Sequence, residues 1–213
     1  MKKLFALLLL PSIAFAGKIG ENYVGAKLGS TNAGISVAGV DVEWDGFSFK
    51  LNGNYNTYNK DSYGIDLNLD FVSGSGLDGP LNTSGDVTKF EALLRPHMTL
   101  SEIKIFANLG VSVADLELKI APNTYSVDES SFLPGLGFEL SFEKLTLTPT
   151  VDWVDYDSTA EGVFINLPVS YEYNDKVSIT FEYEVASFDD ITISGTKYEY
   201  IFDSLMIGLD YKF

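Results

Sequence analysis

The stretch Leu205-Met206-Ile207-Gly208-Leu209-Asp210-Tyr211-Lys212-Phe213 closes the chain. Successive side chains of a strand point to opposite sides. Leu205, Ile207, Leu209, Tyr211 and Phe213 therefore share one face, and Met206, Gly208, Asp210 and Lys212 the other. The first face is apolar throughout, while the second is mostly small or charged. Chain ends usually fray into water unless something ties them down. An aromatic terminus directly on an alternating strand, with no polar tail, points to a strand held along its whole length. A two-sheet sandwich or a closed barrel could hold it, and the rest of the chain decides between them.

Gly208, Tyr211 and Phe213 follow the order glycine, two residues, aromatic, one residue, aromatic. This spacing resembles the C-terminal signal by which bacterial outer-membrane barrels are recognised for assembly, although the family pattern places a polar residue where Met206 stands. The resemblance implies insertion by the barrel assembly machinery, with Gly208, Tyr211 and Phe213 as the signal. The amino end agrees. Lys2 and Lys3 precede a short apolar run, and Ala14-Phe15-Ala16 offers a cleavage site before Gly17, the pattern of a secretory leader. The expected organisation is a signal peptide at 1–16 and one outer-membrane domain at 17–213.

Composition narrows the class. The chain has 213 residues, 46% of them hydrophobic and 14% aromatic, yet no apolar run reaches the length of a spanning helix. Its apolar residues must be spread over alternating segments, as in membrane barrels. There are no cysteines, so disulfides and thiolate metal sites are excluded. A formal charge of −16 argues against nucleic acid, whose phosphates would be repelled.

Alternation recurs along the chain. Val24, Ala26 and Leu28 face away from Tyr23, Gly25, Lys27 and Gly29 in a short first strand over 22–29. Phe47, Phe49, Leu51 and Tyr55 oppose Ser48, Lys50, Asn52 and Asn54, and Tyr63, Ile65, Leu67, Leu69 and Phe71 oppose Gly64, Asp66, Asn68 and Asp70. A one-residue slip would turn Asp66 and Asp70 into hydrocarbon, at about 2–4 kcal/mol or less per charge near mid-depth. Similar faces follow over 88–98, 103–113, 132–142, 145–153, 163–171 and 177–185. Between them, the stretches 30–45, 73–86, 115–129, 155–162 and 187–199 read as long, mostly acidic connections, with a hairpin signal at Asp45-Gly46. They fall after every odd strand, while those after even strands are short. Membrane barrels have long extracellular loops and short periplasmic turns. The expected fold is all-β: a closed antiparallel up-and-down transmembrane β-barrel of about ten strands, or eight if two segments are loop hairpins. The whole mature chain resembles small outer-membrane barrels of the opacity-protein and OmpA-like type. Pro96, Pro134, Pro149 and Pro168 lie inside proposed strands, and a bulge is expected at the central Pro168.

The chemistry of an enzyme is hard to find. Barrel hydrolases typically use a histidine base, and the single histidine, His97, faces inward near Arg95, with neither the histidine-spacer-serine arrangement of lipid A deacylases nor the aspartate and aspartate-histidine pairs of omptin proteases. No catalytic, cofactor or metal residues are assigned. The inward-facing set is charged: Lys50, Asp66, Asp70, Glu91, Arg95, Lys104, Glu139, Glu182, Glu184 and Asp210 are the candidate lumen-lining residues. They form either a salt-bridged plug in a structural, surface-interacting protein, or a narrow porin-like passage for water, small cations or small solutes. Expected partners are outer-membrane lipids and lipopolysaccharide, with divalent cations bridging its phosphates to acidic loop residues such as Asp115, Asp128 and Asp155. If cations bridge in this way, chelator lowers the melting temperature of the protein in detergent with lipopolysaccharide; an unchanged melting curve excludes the bridge.

Overall fold

A computed structural model describes residues 19–37, 40–60, 62–79, 83–120, 123–156, 160–193 and 196–213. The leader proposed at 1–16 lies outside them. The strands are β1 (Tyr23–Val37), β2 (Val40–Lys60), β3 (Tyr63–Gly79), β4 (Thr83–Leu100), β5 (Ile103–Ile120), β6 (Asn123–Phe142), β7 (Leu145–Leu147), β8 (Thr150–Tyr156), β9 (Ala160–Asn174), β10 (Val177–Ile193) and β11 (Thr196–Lys212). Neighbours pair antiparallel, and β7 and β8 follow one another in the same wall position between β6 and β9. The wall therefore has ten positions. It closes where β11 meets β1, from Tyr23↔Lys212 to Ser36↔Glu199. Closure gives the last strand a partner on both sides and explains a chain that ends in an aromatic side chain.

The inside-outside assignment follows the alternation. On β5, Ile103, Ile105, Leu109, Val111 and Val113 are exposed, while Phe106, Asn108 and Ser112 are buried. The outward apolar band on β6 runs from Phe132 to Phe142 and on the seventh wall position from Leu145 to Trp153. About ten residues is what a tilted strand needs to cross a bilayer. Phe47, Phe90, Phe132 and Trp153 stand at the upper end of this band; Tyr55, Tyr63, Tyr171 and Tyr173 stand at the lower, where the chain ends lie. Both are the girdle positions of a membrane barrel.

Several expected connections are strands instead. β1 and β2 stay paired to Val37↔Val40, so Asp45 sits opposite Asn32 within the ladder rather than in a turn. The stretches 73–86 and 115–129 also continue as ladders, to Gly79↔Thr83 and Ile120↔Asn123, the first with a register shift between Gly74 and Leu77. At 155–162 and 187–199 the pairing likewise reaches Tyr156↔Ala160 and Ile193↔Thr196. In these upper segments the parity continues but the chemistry inverts. Asn32, Glu43, Asp45, Asp115 and Asp155 are exposed, while Ala33, Trp44, Leu93, Leu133, Val154, Phe164, Ala186, Phe188 and Phe202 form a buried apolar cluster. Below, the outside is apolar and the inside polar; above, water outside and a core inside reverse both.

The prolines act locally. Pro168 keeps regular register opposite Glu182, so the expected bulge does not form there. Its missing N–H is felt across the other edge, where Thr148 N donates to the Pro168 carbonyl at 3.1 Å but no reciprocal bond can form. There, at Thr148-Pro149, the neighbouring strand divides into β7 and β8. Pro96 interrupts the β4–β5 pairing between Leu94↔Leu109 and His97↔Phe106.

Two of the short lower turns carry a left-handed non-glycine residue, Ser101 at φ 60° and Glu143 at φ 50°. The first position of such a two-residue turn favours glycine. Ser101→Gly and Glu143→Gly should each raise stability by about 1 kcal/mol, read as a higher urea midpoint for the protein folded in lipid.

Candidate functional site

The interior is built in layers. At the lower mouth the segment before β1 turns inward, with Gly20 at φ +85°. Ile19 N donates to Glu139 Oε2 at 2.7 Å, Gly20 N donates to Asp66 Oδ2 at 2.7 Å, and Lys104 Nζ donates to the Ile19 carbonyl. Asn54 Nδ2 reaches the Glu21 carbonyl at 2.9 Å, and Lys212 pairs with the Glu21 carboxylate at 2.5 Å. Ile19 is 3% exposed, so this short piece of chain lies across the mouth. Lys104 also pairs with Glu139 at 3.2 Å.

His97 is buried in the same layer, with Nε2 3.7 Å from Asp66 Oδ1. The fold thus assembles an aspartate-histidine pair that the sequence separates by thirty positions. Among the described residues neither imidazole nitrogen has a partner at hydrogen-bond distance. The ring packs against Gly64, where a Cβ would meet Nε2 at 2.5 Å.

Above this layer lies the charged centre. Lys50, 1% exposed, places Nζ 2.6 Å from Glu182, 3.0 Å from Asp70 and 3.8 Å from Glu184. Glu182 is shared with Lys27, and Glu184 with Lys89 at 2.8 Å, which in turn meets Glu91 at 3.3 Å. Asp210 accepts from Thr180 and, at 3.3 Å, from Asn52 Nδ2. Arg95 Nε donates to Asn108 Oδ1 at 2.8 Å, and Asn108 Nδ2 to Asp152 at 2.6 Å. Buried charges require such pairing. Lys89 Nζ also stands 4.3 Å above the Phe164 ring, where the charged centre meets the apolar cluster.

The candidate lumen residues all face inward; Asp66, Asp70, Lys50, Glu91, Glu139, Glu182, Glu184 and Asp210 are buried, whereas Arg95 and Lys104 are half-buried. Sequence reading did not anticipate the inward turn of Ile19 and Gly20, which carries no pattern, or the role of Asn108 as a bridge between Arg95 and Asp152. The space left within the charged layer, lined by Lys27, Lys50, Asp70, Arg95, Glu182 and Asp210 among others, is about 50 Å³.

In the closing strand, Gly208 on the inward face runs so close to β1 that a Cβ would collide with the Ala26 carbonyl and Lys27, Tyr211 stands beside Lys176, and Phe213 is exposed with its N–H on the Asn22 carbonyl at 3.2 Å. Met206, the departure from the C-terminal pattern, is buried in the lumen at 1% exposure. In the upper hairpins Lys119 pairs with Glu117 at 2.8 Å and with Asp86 at 3.5 Å. Partial burial, and then the carboxylate of Asp128 across the ladder, raise the Asp115 pKa. Among the described residues, no three histidine or acidic side chains come together as a metal site.

A family model described as an outer membrane protein beta-barrel domain matches residues 4–213. No curated protein matches the chain. Among solved structures, the outer membrane protease OmpT from Escherichia coli superposes with a TM-score of 0.61 at 11% identity, over 93% of this chain and 99% of that one. The attachment invasion locus protein Ail of Yersinia pestis gives 0.47 at 12% identity, over 91% and 99%. Neisserial surface protein A gives 0.49 at 15%, over 90% and 97%. At such identities the likeness to OmpT is one of fold.

The network should be energetically visible. Lys50→Met strands Asp70, Glu182 and Glu184 without their shared cation and should cost about 3–5 kcal/mol, with part recovered by adding Glu182→Gln. The temperature at which the folded, fast-migrating band is lost on gels measures both.

Proposed function

The chain belongs to the outer membrane protein β-barrel domain family, and on that premise we propose that it is a non-enzymatic barrel with a sealed lumen, whose outward work falls to its acidic upper hairpins. The observation that carries this reading is the stacking of three closures in one lumen. Ile19 and Gly20 cross the lower mouth on Glu139 and Asp66. The Lys27, Lys50 and Lys89 network fills the middle. The apolar cluster around Trp44, Phe164 and Phe202 fills the top. A solute would have to break all three. Membership of the family supports a bacterial outer-membrane location, and the usual direction of barrels there supports lower turns in the periplasm and hairpins outside.

The case against enzymatic activity rests on His97. Its nearest carboxylate is Asp66, which is itself held by Gly20 N and Asn56 Nδ2. A general base must reach the proton it takes, and this one is walled in by Gly64 and the mouth segment. The exposed Asp115, Asp155 and Glu161, by contrast, are free to meet a surface partner or, through divalent cations, lipopolysaccharide. Gly208, Tyr211 and Phe213 are proposed as the assembly signal, Phe213 being presented outward at the end of the closing strand.

The second reading, a narrow passage, draws on the 50 Å³ of space beside Lys50 and Asp210, enough for water. Planar-bilayer recording of the refolded mature protein separates the two. We expect no discrete conductance steps; steady unit currents with cation preference overturn the sealed barrel in favour of the passage.

A further inference from the structure

The barrel wall is not continuous. β6 and β8 pair only at Gly135↔Asp152, Leu136↔Val151 and Gly137↔Thr150, although both strands run further upward. The ladder stops at Pro134, which has no N–H to give across the seam, while the pairing of Pro134 with Leu109 on the other side is intact. Above it, Asp155 N donates across the seam to the Ser131 hydroxyl, at 2.9 Å. A cleft of about 910 Å³ opens there, within the size range of ligand sites.

Its lining contains side chains of both parities. Phe132, Pro134, Trp153 and Val163 belong to the outward set, Ser131 and Val154 to the inward set. The cleft follows the stretch of wall where β6 and β8 no longer pair. Its floor is apolar, since Val154 is part of the internal cluster that also contains Leu133 and Phe164. Its depth is that of Phe132 and Trp153, the upper end of the membrane band. Its rim carries Asp155 and Glu161, opposite each other in the β8–β9 ladder and both exposed, and among the described residues no lysine or arginine lines it.

We propose that this cleft is a binding site for one acyl chain of an outer-leaflet amphiphile with a cationic head group. The chain lies against Phe132, Pro134, Trp153 and Val163. The ammonium sits between Asp155 and Glu161, where two carboxylates meet no competing cation in the lining. This site is on the outer face and does not depend on whether the lumen conducts.

The test uses the full mature protein in phosphocholine vesicles doped with a brominated-chain lipid whose head group is quaternary ammonium, phosphocholine or phosphoglycerol. Bromine quenches nearby indoles. The chain has two tryptophans, and Trp44 lies buried in the cluster, so the difference between wild type and Trp153→Phe reports Trp153. Half-quenching should need at least threefold less ammonium lipid than phosphoglycerol lipid. In Asp155→Asn/Glu161→Gln that preference should vanish while gel mobility still shows a folded barrel. A control reporter, Phe90→Trp in Trp153→Phe, faces lipid at a similar height on β4 and should show no head-group preference. Equal half-quenching for all three heads overturns the proposal. So does the same preference at the control reporter, which would mark only the protein's overall negative charge, or a preference that survives the double substitution.

Discussion

Every strand of this barrel must satisfy two solvents without changing its parity. A strand cannot swap its faces without a bulge, because consecutive side chains are fixed on opposite sides of the sheet. Lipid requires the outer face to be apolar over about ten residues; water beyond the membrane removes that requirement. The chain answers by inverting chemistry along one uninterrupted ladder. On β5, Val111 and Val113 give way on the same face to Asp115, and on β10 the inward Glu182 and Glu184 give way to Ala186 and Phe188. The upper hairpins thereby acquire a core of their own, around Trp44, Leu133 and Phe164, and stand as an extension of the wall.

The same inversion settles the interior. The lower lumen is polar because the apolar side chains are needed outside, and its charges are then left to neutralise one another. Lys50 does most of this, reaching Asp70 on β3 and Glu182 and Glu184 on β10. Such pairing is costly to break and is weak evidence for net stability; its consequence is geometric, since cations and carboxylates from opposite walls meet in mid-lumen and leave little space. The apolar layer above and the turned-in Ile19 below complete the filling.

Prolines write the exceptions. A closed ladder has no edge where a missing N–H is harmless, and here three interruptions of the pairing sit at prolines. Pro149 and Pro168 meet where β7 and β8 part, Pro96 interrupts β4 against β5, and Pro134 ends the β6–β8 ladder. The seam above Pro134 is the largest of these openings and the one that faces lipid.

The sequence by itself determined what alternation against hydrocarbon can determine. From Leu205 to Phe213 and from Tyr63 to Phe71 it identified strands, their outward faces, a closed membrane barrel of about ten positions, and the charged residues turned inward. It lost the upper half of the barrel, because the polarity of each face reverses near Ser30, Asp115 and Ser187, and a pattern that reverses reads as a loop. It also missed the aspartate-histidine contact of Asp66 with His97 and the mouth segment at Ile19. Only the tertiary structure decided these, since they depend on which residues of separate strands the closed register brings to one height. The seam is of the same kind: Pro134 was visible in the chain, but that its missing N–H pointed at β8 rather than β5 was fixed by the fold.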